Sequence, residues 1–267
     1  MGNDGPARYE GDFLAWNGGA LFIGRGGGSV APHAHYAIQV VVGMPAAPRV
    51  QLGRRGAWRD CGGAIVPSRA VHSIDVTDCD WSCVLFVEPE TPQGRAFAAR
   101  LGGQVEWLDP AALADPVQRL GQAWRGERSA AAVQAAAQGL LTQLSGAAWP
   151  APSDTRVLQA IELIRARAGE PLALEALAQA VQLSPSRLRH LFVAQTGMPL
   201  RTYQLWRRLL RTWDFLMRGE NFAAAAHAAG FADAAHLSRT CRSMFGLAPS
   251  TMQMSGPLAA RLREREG

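Results

Sequence analysis

Two stretches in the C-terminal part of the chain constrain its fold more than anything else in it. One is "LEALAQAVQLSPSRLRHLFVAQTGMPL", residues 174–200, and the other is "FAAAAHAAGFADAAHLSRTCRSMFGLAP", residues 222–249. Each reads as a short helix, a tight turn and a second helix with a basic exposed face, closed by a glycine and then a proline. In the first copy Leu188, Leu191 and Phe192 recur at helical spacing, and Arg187, Arg189 and His190 fall between them. Ser184 can accept a hydrogen bond from the free amides of the helix start, and Pro185 stands where a missing N–H costs nothing. In the second copy Gly230 permits the tight turn and Asp233 places negative charge at a helix N-terminus. Two ordinary packed helix pairs would show the same periodicity. Recurrence on both sides of one long helix argues instead for a tandem helix-turn-helix.

That long helix is expected over residues 200–217, with Tyr203, Trp206, Leu209, Leu210, Trp213 and Leu216 as its apolar stripe. Eighteen residues at about 1.5 Å rise span roughly 27 Å. Successive major grooves on one face of DNA lie about 34 Å apart. With the turns at both ends, one chain can therefore hold two recognition helices in adjacent grooves, the stripe forming the core between the two subdomains.

Charge is distributed accordingly. All 27 basic side chains are Arg. Residues 1–153 carry 12 Arg against 13 Asp/Glu, net −1, whereas residues 154–267 carry 15 Arg against 9 Asp/Glu, net +6. The basic excess sits wholly with the repeated motif, as binding to a polyanion requires, although a solvated basic surface would look alike.

These residues resemble the AraC/XylS family of transcription regulators, over about 100 residues from Asp154 to Met252, through "LEALAQAVQLSPSRLRHLFVAQTGMPLRTY" and "AAHAAGFADAAHLSRTCRSMFGLAPS". The resemblance implies that Ser186, Arg187, Arg189 and His190 of the first unit, and Ala234, Ala235, His236, Ser238 and Arg239 of the second, face bases and phosphates of double-stranded DNA. The chain departs from the family at Cys241, where Phe is usual, and at Thr251 and Met252, where an Arg is usual. With Ala234 and Ala235 on its face, the second helix is expected mainly to hold phosphate. Arg189 is the first candidate for base readout, since Arg pairs guanine bidentately in the major groove.

Residues 20–88 read as short β-branched strands interrupted by Gly and Pro: "ALFIG", "YAIQVVVG", "PRVQLG", "GAIVP", "VHSIDV" and "WSCVLFVE". Their spacing suits an antiparallel barrel or sandwich. Helices are expected at 95–101, 111–124 and 129–144, the last with Val133, Leu140, Leu141 and Leu144 as an apolar face open to a homodimer partner or to the barrel. "SGAAWPAPS", residues 145–153, reads as a linker.

The family resemblance also implies a cupin-like barrel for the N-terminal half, used to bind an effector. "GGSVAPHAHYAIQ" resembles the first cupin motif and "GGAIVPSRAVHSI" the second. His33, His35 and Gln39 share one strand parity and His72 approaches from another strand, so an inward-facing set of three imidazoles can hold Zn²⁺ or another divalent transition metal. Cupin motifs usually have Glu where Gln39 stands. Plain hydrogen bonding within the barrel, or a pocket for a small-molecule or ion effector, fits the same residues, and the opposite parity would turn Ala34, Tyr36 and Ile38 inward. Cys79 and Cys83 share a parity with Cys61 nearby, which suits either core packing or a thiolate site.

The expected organisation is α+β: a cupin-like β-barrel over 1–91, a helical packing or dimerisation segment over 92–144, a linker over 145–153, an all-α double helix-turn-helix domain over 154–255 and a charged tail over 256–267. The function implied is a one-component bacterial transcription regulator, not an enzyme, with DNA, an effector, a second copy of the chain and, for an activator, RNA polymerase as partners. A metal-responsive (Zn/Ni-type) regulator through His33, His35 and His72 is the alternative, and a cupin-type metalloenzyme fused to a DNA-binding domain a more distant one. No signal peptide and no membrane-spanning apolar run is apparent, and four Cys make no disulfide framework, so a reducing cytoplasm is expected.

Overall fold

A computed structural model of the chain describes residues 8–146, 154–167, 170 and 172–266. The N-terminal domain is built from β1 (Arg8–Trp16), β2 (Gly19–Gly27), β3 (Ile38–Pro45), β4 (Arg49–Leu52), β5 (Trp58–Asp60), β6 (Gly63–Val66), β7 (His72–Asp75), β8 (Cys79–Val87), α1 (Pro92–Leu101), β9 (Glu106–Leu108), α2 (Pro110–Gln122) and α3 (Ala130–Ser145). The C-terminal part holds α4 (Thr155–Ala166), α5 (Leu174–Ala180), α6 (Pro185–Thr196), α7 (Leu200–Met217), α8 (Phe222–Ala228), α9 (Ala234–Phe245), β10 (Met252–Met254) and α10 (Pro257–Glu266). Most of the linker expected at 145–153 lies outside the described residues.

Of the barrel or sandwich expected, the strands give two sheets. They form a seven-stranded sheet, β10-β1-β2-β8-β3-β6-β9, and a three-stranded sheet, β5-β4-β7. The segment between β2 and β3 carries Gly28 and Pro32 and contributes only isolated bridges to the smaller sheet, Ser29 to Asp75 and His33 to His72. Alternation along β3 sorts its side chains between two cores. Val41 joins Val50, Ala64, Val66 and Ile74 between the sheets, while Val40 and Val42 join the larger core that includes the helices.

The helical C-terminal part does not stand apart from the sheet. Leu200 and Tyr203 at the start of α7 belong to the core of α4–α6, but Trp206, Leu209, Leu210, Trp213 and Met217 pack into the core of the N-terminal domain. The apolar stripe of α7 therefore serves two cores, not one between the helix-turn-helix units. Phe22 of β2 meets Trp213 at 4.9 Å and Phe245 of α9 at 5.6 Å, both edge-on. On α3, Val133, Leu140 and Leu141 are buried in the same core, so the face expected for a dimer is covered by the chain's own N-terminal domain.

Residues 252–266 are not a free tail. β10 pairs in parallel with β1, and the buried Asp12 carboxylate accepts from the backbone amides of Leu258 and Ala259 and from Trp124 Nε1 at 2.6 Å. Asp12 thus caps α10, and Arg263 in turn donates to the carbonyls of Leu216, Met217 and Met254.

Candidate functional site

Two helix-turn-helix units, α5–α6 and α8–α9, lie at opposite ends of α7. Their capping matches the local chemistry: Ser184 accepts from the Arg187 amide at 3.2 Å, and Asp233 from the His236 amide at 2.5 Å. The turn of the second unit uses Gly230 at φ +80°, whereas the first places Gln182 at φ +55°, a left-handed position that the sequence pattern did not flag. Both second helices end in a left-handed glycine, Gly197 and Gly246.

The apolar sides of these helices are buried: Leu188 and Phe192 in α6, and Leu237, Cys241 and Phe245 in α9. Ser186, Arg187, Arg189 and His190 are all exposed, as are Ala235 and Arg239, while Ala234, His236 and Ser238 are half-buried. The His236 ring stands edge-on to Phe231 at 5.3 Å, which ties it to the turn. Arg242, exposed one turn beyond Arg239, extends the basic edge of α9. Arg208 of α7 braces the second unit, donating to Gly230 O at 3.1 Å.

The histidines expected to converge do so. His33, His35 and His72 are buried, with ring centroids 4.3–5.7 Å apart, and one ring nitrogen of each lies within 4.8 Å of the other two. Gln39 is fully buried beside them, its Oε1 3.0 Å from His35 Nε2. The inward direction is as expected, but strand parity is not its cause. His33 and His35 precede β3 in irregular backbone, and side-chain bonds orient them: Nδ1 of His33, His35 and His72 meets the carbonyls of Ala31, Ala37 and Ala70 at 2.8–2.9 Å. Burial, and the neighbouring imidazole of His35, push His33 down to about 3, and burial likewise lowers His35 and His72. All three rings are neutral at pH 7.

His33 and Gln39 also line a narrow cleft that is partly open to solvent. Its apolar walls include Phe22, Ile23, Val84 and Phe86 from the large sheet, Ile74 and Val76 from β7 and its end, and Phe245, Leu247, Met252 and Met254 from the C-terminal part, and Tyr9, Glu10, Asp12 and Ser82 add polar groups to its lining. A small number of polar groups in an apolar cleft between two domains is the usual composition of a ligand site.

A further polar centre was not evident in the sequence. The carboxylate of Glu88, at the end of β8, is fully buried and accepts from Arg165 of α4 at 2.7 Å, Arg207 of α7 at 3.0 Å and Trp206 Nε1 at 3.3 Å. It joins the N-terminal domain to the first helix-turn-helix subdomain. "VEPE" carries no signal for this, because the partners lie 77 and 119 residues away.

The thiolate site considered for Cys61, Cys79 and Cys83 does not form among the described residues. Cys79 packs between the sheets and Cys83 in the other core, and Cys61 donates to Pro48 O. Burial pushes the thiols of Cys61 and Cys79 up to about 11 and raises that of Cys83 further, so none is a thiolate at neutral pH.

Residues 177–255 match the family described as a helix-turn-helix domain. Over 86 residues, 32% of this chain, the sequence is 36% identical to the regulatory protein Ada of Salmonella typhimurium and 34% identical to the bifunctional transcriptional activator/DNA repair enzyme Ada of Escherichia coli. The match spans about a quarter of the length of these curated relatives, 24% of each. Nearly the whole fold is similar to that of ToxT from Vibrio cholerae. An apo ToxT variant of strain SCE256 matches with a TM-score of 0.58 at 10% identity, over 90% of this chain and 96% of that one. Wild-type ToxT with unsaturated fatty acid bound matches with 0.54 at 11% identity, over 94% and 96%. At such identities the likeness is one of fold: a sheet domain followed by a helical double helix-turn-helix domain.

Proposed function

We propose that this chain, whose residues 177–255 match a helix-turn-helix domain family and whose fold is like that of ToxT, is a one-component transcription regulator of the AraC/XylS type that binds two adjacent major grooves of duplex DNA and responds to an effector in its N-terminal domain. One observation carries the reading. α6 and α9 bury their apolar sides, hang from opposite ends of an 18-residue helix, and leave Arg187, Arg189 and Arg239 facing outward. Arg189 reads a base, and Arg239, next to two alanines, holds phosphate. Ser186, His190, Ala235 and Ser238 complete the two contact faces.

The effector occupies the cleft that His33 and Gln39 share with Phe245 and Leu247. An apolar wall with few polar groups suits a molecule with an apolar body and one polar head. The fatty acid bound by ToxT, a protein of like fold, supports that class. A ligand there touches both the sheet and the end of α9, so it can favour one arrangement of the second unit over another. The chain carries out no catalysis in this account, and the repair activity of the Escherichia coli relative is not carried over from a match limited to its DNA-binding part. A homodimer on DNA uses the exposed side of α2 and α3, RNA polymerase is the further partner of an activating form, and the chain works in the cytoplasm. No helix among the described residues is long and apolar enough to cross a membrane.

Hydroxyl-radical footprinting on a duplex selected from random sequence tests the reading. Each bound chain should protect two segments about one helical turn apart on one face of the duplex. Protection of a single segment per chain would overturn the two-groove geometry.

A further inference from the structure

We infer that the tip of the β4–β5 hairpin, through Arg54 and Arg55 with Arg69 of the neighbouring turn, holds the phosphate backbone of duplex DNA outside the grooves filled by α6 and α9. This inference deepens the DNA-binding reading and rests on it.

Basic charge in the N-terminal domain is concentrated at this hairpin. Residues 49–60 carry four Arg against one Asp, whereas the rest of residues 1–153 carry eight Arg against twelve Asp/Glu. A domain that is acidic elsewhere approaches a polyanion favourably only by its basic end. Two of the four cations are already engaged. Arg49 pairs with Asp75, and Arg59 lies 4.5 Å over the Trp107 ring. Arg54 and Arg55 are exposed, and among the described residues neither side chain has an ion-pair or hydrogen-bond partner.

The turn fixes where these two side chains stand. "LGRRGAW", residues 52–58, places a Gly on each side of the Arg pair. Gly53 takes φ +70°, in the left-handed region, and a Cβ on Gly56 would fall 2.2 Å from Leu52 O. Gln51 Nε2 donates to Gly56 O at 2.6 Å and closes the loop. A tight, braced turn keeps both guanidinium groups at the outer end of the hairpin, with less backbone freedom to lose on binding.

The hairpin lies at the end of the sheet domain next to the first helix-turn-helix unit. Gly53 N donates to Val71 O at 2.7 Å, which joins the turn to the connection between β6 and β7. Arg69 in that connection is exposed and stands 5.8 Å over the Tyr36 ring. Tyr36 in turn packs against the core of α4–α6. Arg69 and Val71 are two residues apart, at most about 7 Å. A short path of contacts therefore runs from Arg54 and Arg55 to the subdomain that inserts α6. The sugar-phosphate backbone continues past the groove that a helix occupies, so a cationic patch beside the first unit meets the flanking phosphates. Guanidinium groups on a turn outside the recognition helices add affinity there without sequence preference.

The test compares the full-length chain on two duplexes, one trimmed to the segments protected in footprinting and one extended by a further helical turn on each side. Arg54→Ala and Arg55→Ala are made together. On the extended duplex this double variant should lose about 1.8 from the slope of log affinity against log salt, at about 0.9 per phosphate contact. It should bind that duplex several-fold more weakly with base preference unchanged. On the trimmed duplex wild type and variant should bind alike. Arg54→Lys with Arg55→Lys keeps both charges and should keep the wild-type slope. An alanine variant with the wild-type slope, the result for a hairpin that faces solvent or an acidic protein surface, would overturn the inference and leave the regulator reading standing. A slope lost equally by the lysine variant would trace the effect to the turn and overturn it as well. An equal loss on both duplexes would overturn the flanking position. A wild type that binds neither duplex would overturn the regulator reading itself.

Discussion

Arg165 of α4 donates to Glu88 at the end of β8 across 2.7 Å, with the carboxylate fully buried, and so anchors the helix-turn-helix part to the sheet domain. Glu88 also accepts from Arg207 of α7. Removing a buried partner leaves uncompensated charge and costs about 3–5 kcal/mol, whereas an exposed pair is worth less than about 1 kcal/mol. Chemical denaturation should show that Glu88→Ala loses about 3–5 kcal/mol. Asp214→Ala, which breaks an exposed pair on α7, should lose under about 1 kcal/mol. Similar losses in both variants would show that the Glu88 cluster does not hold the domains.

Glu90, two residues on, has neither carboxylate oxygen hydrogen-bonded, and burial together with the negative charge of Glu88 holds its pKa well above the usual carboxylate range. In the unfolded chain Glu90 loses its proton above about pH 4.3, while in the fold it keeps it. The folded state therefore binds the extra proton, and this contribution to stability is lost as pH rises toward the folded pKa. Glu88 is shifted the opposite way by its arginines and stays ionised over that range. Between about pH 5 and pH 8 the wild type should lose more stability than Glu90→Gln, which mimics the protonated form. Parallel stability profiles for the two proteins would contradict the assignment.

Gly197 and Gly246 cap equivalent helices at φ +71° and +68°, but only Gly246 has neighbours where a Cβ would stand. Gly197→Ala should cost about 1–2 kcal/mol, from left-handed backbone strain alone. Gly246→Ala adds a clash with Ala31 O, Val30 and His33 and should cost clearly more. Equal losses in denaturation would mean that α9 does not seat on this segment.

Arg189→Ala and Arg239→Ala should differ in kind. Loss of a bidentate base contact costs about 1–3 kcal/mol and relaxes preference at one base pair, while loss of a phosphate contact weakens all sequences alike. Binding to a library of single-base variants separates the two, and equal relaxation by both substitutions would reject the division of labour between α6 and α9.

Local signals were legible in the sequence, and long-range ones were not. The bounds of α6, α7 and α9 follow from Ser184, Asp233, Gly197 and Gly246, because capping chemistry lies within a few residues of each helix end. The convergence of His33, His35 and His72 was also foreseen, though through an incorrect reason, since carbonyl bonds rather than strand parity aim the rings. β1 went unseen because Gly11 and the mixed burial of "RYEGDFLAW" obscure any alternation. Its partner β10 lies at the other end of the chain. The covered face of α3 and the Glu88 cluster depend on packing between segments tens of residues apart, which no periodicity encodes.

Binding of the full-length chain to a selected duplex across salt concentrations tests the central claim most directly. With Arg189 given to a base, exposed Arg187, Arg239 and Arg242 on the two recognition helices supply three phosphate-range cations. At about 0.9 counterion released per phosphate neutralised, log affinity should fall with log salt at a slope near −2.7 or steeper. A shallow or flat response at micromolar protein would contradict the account.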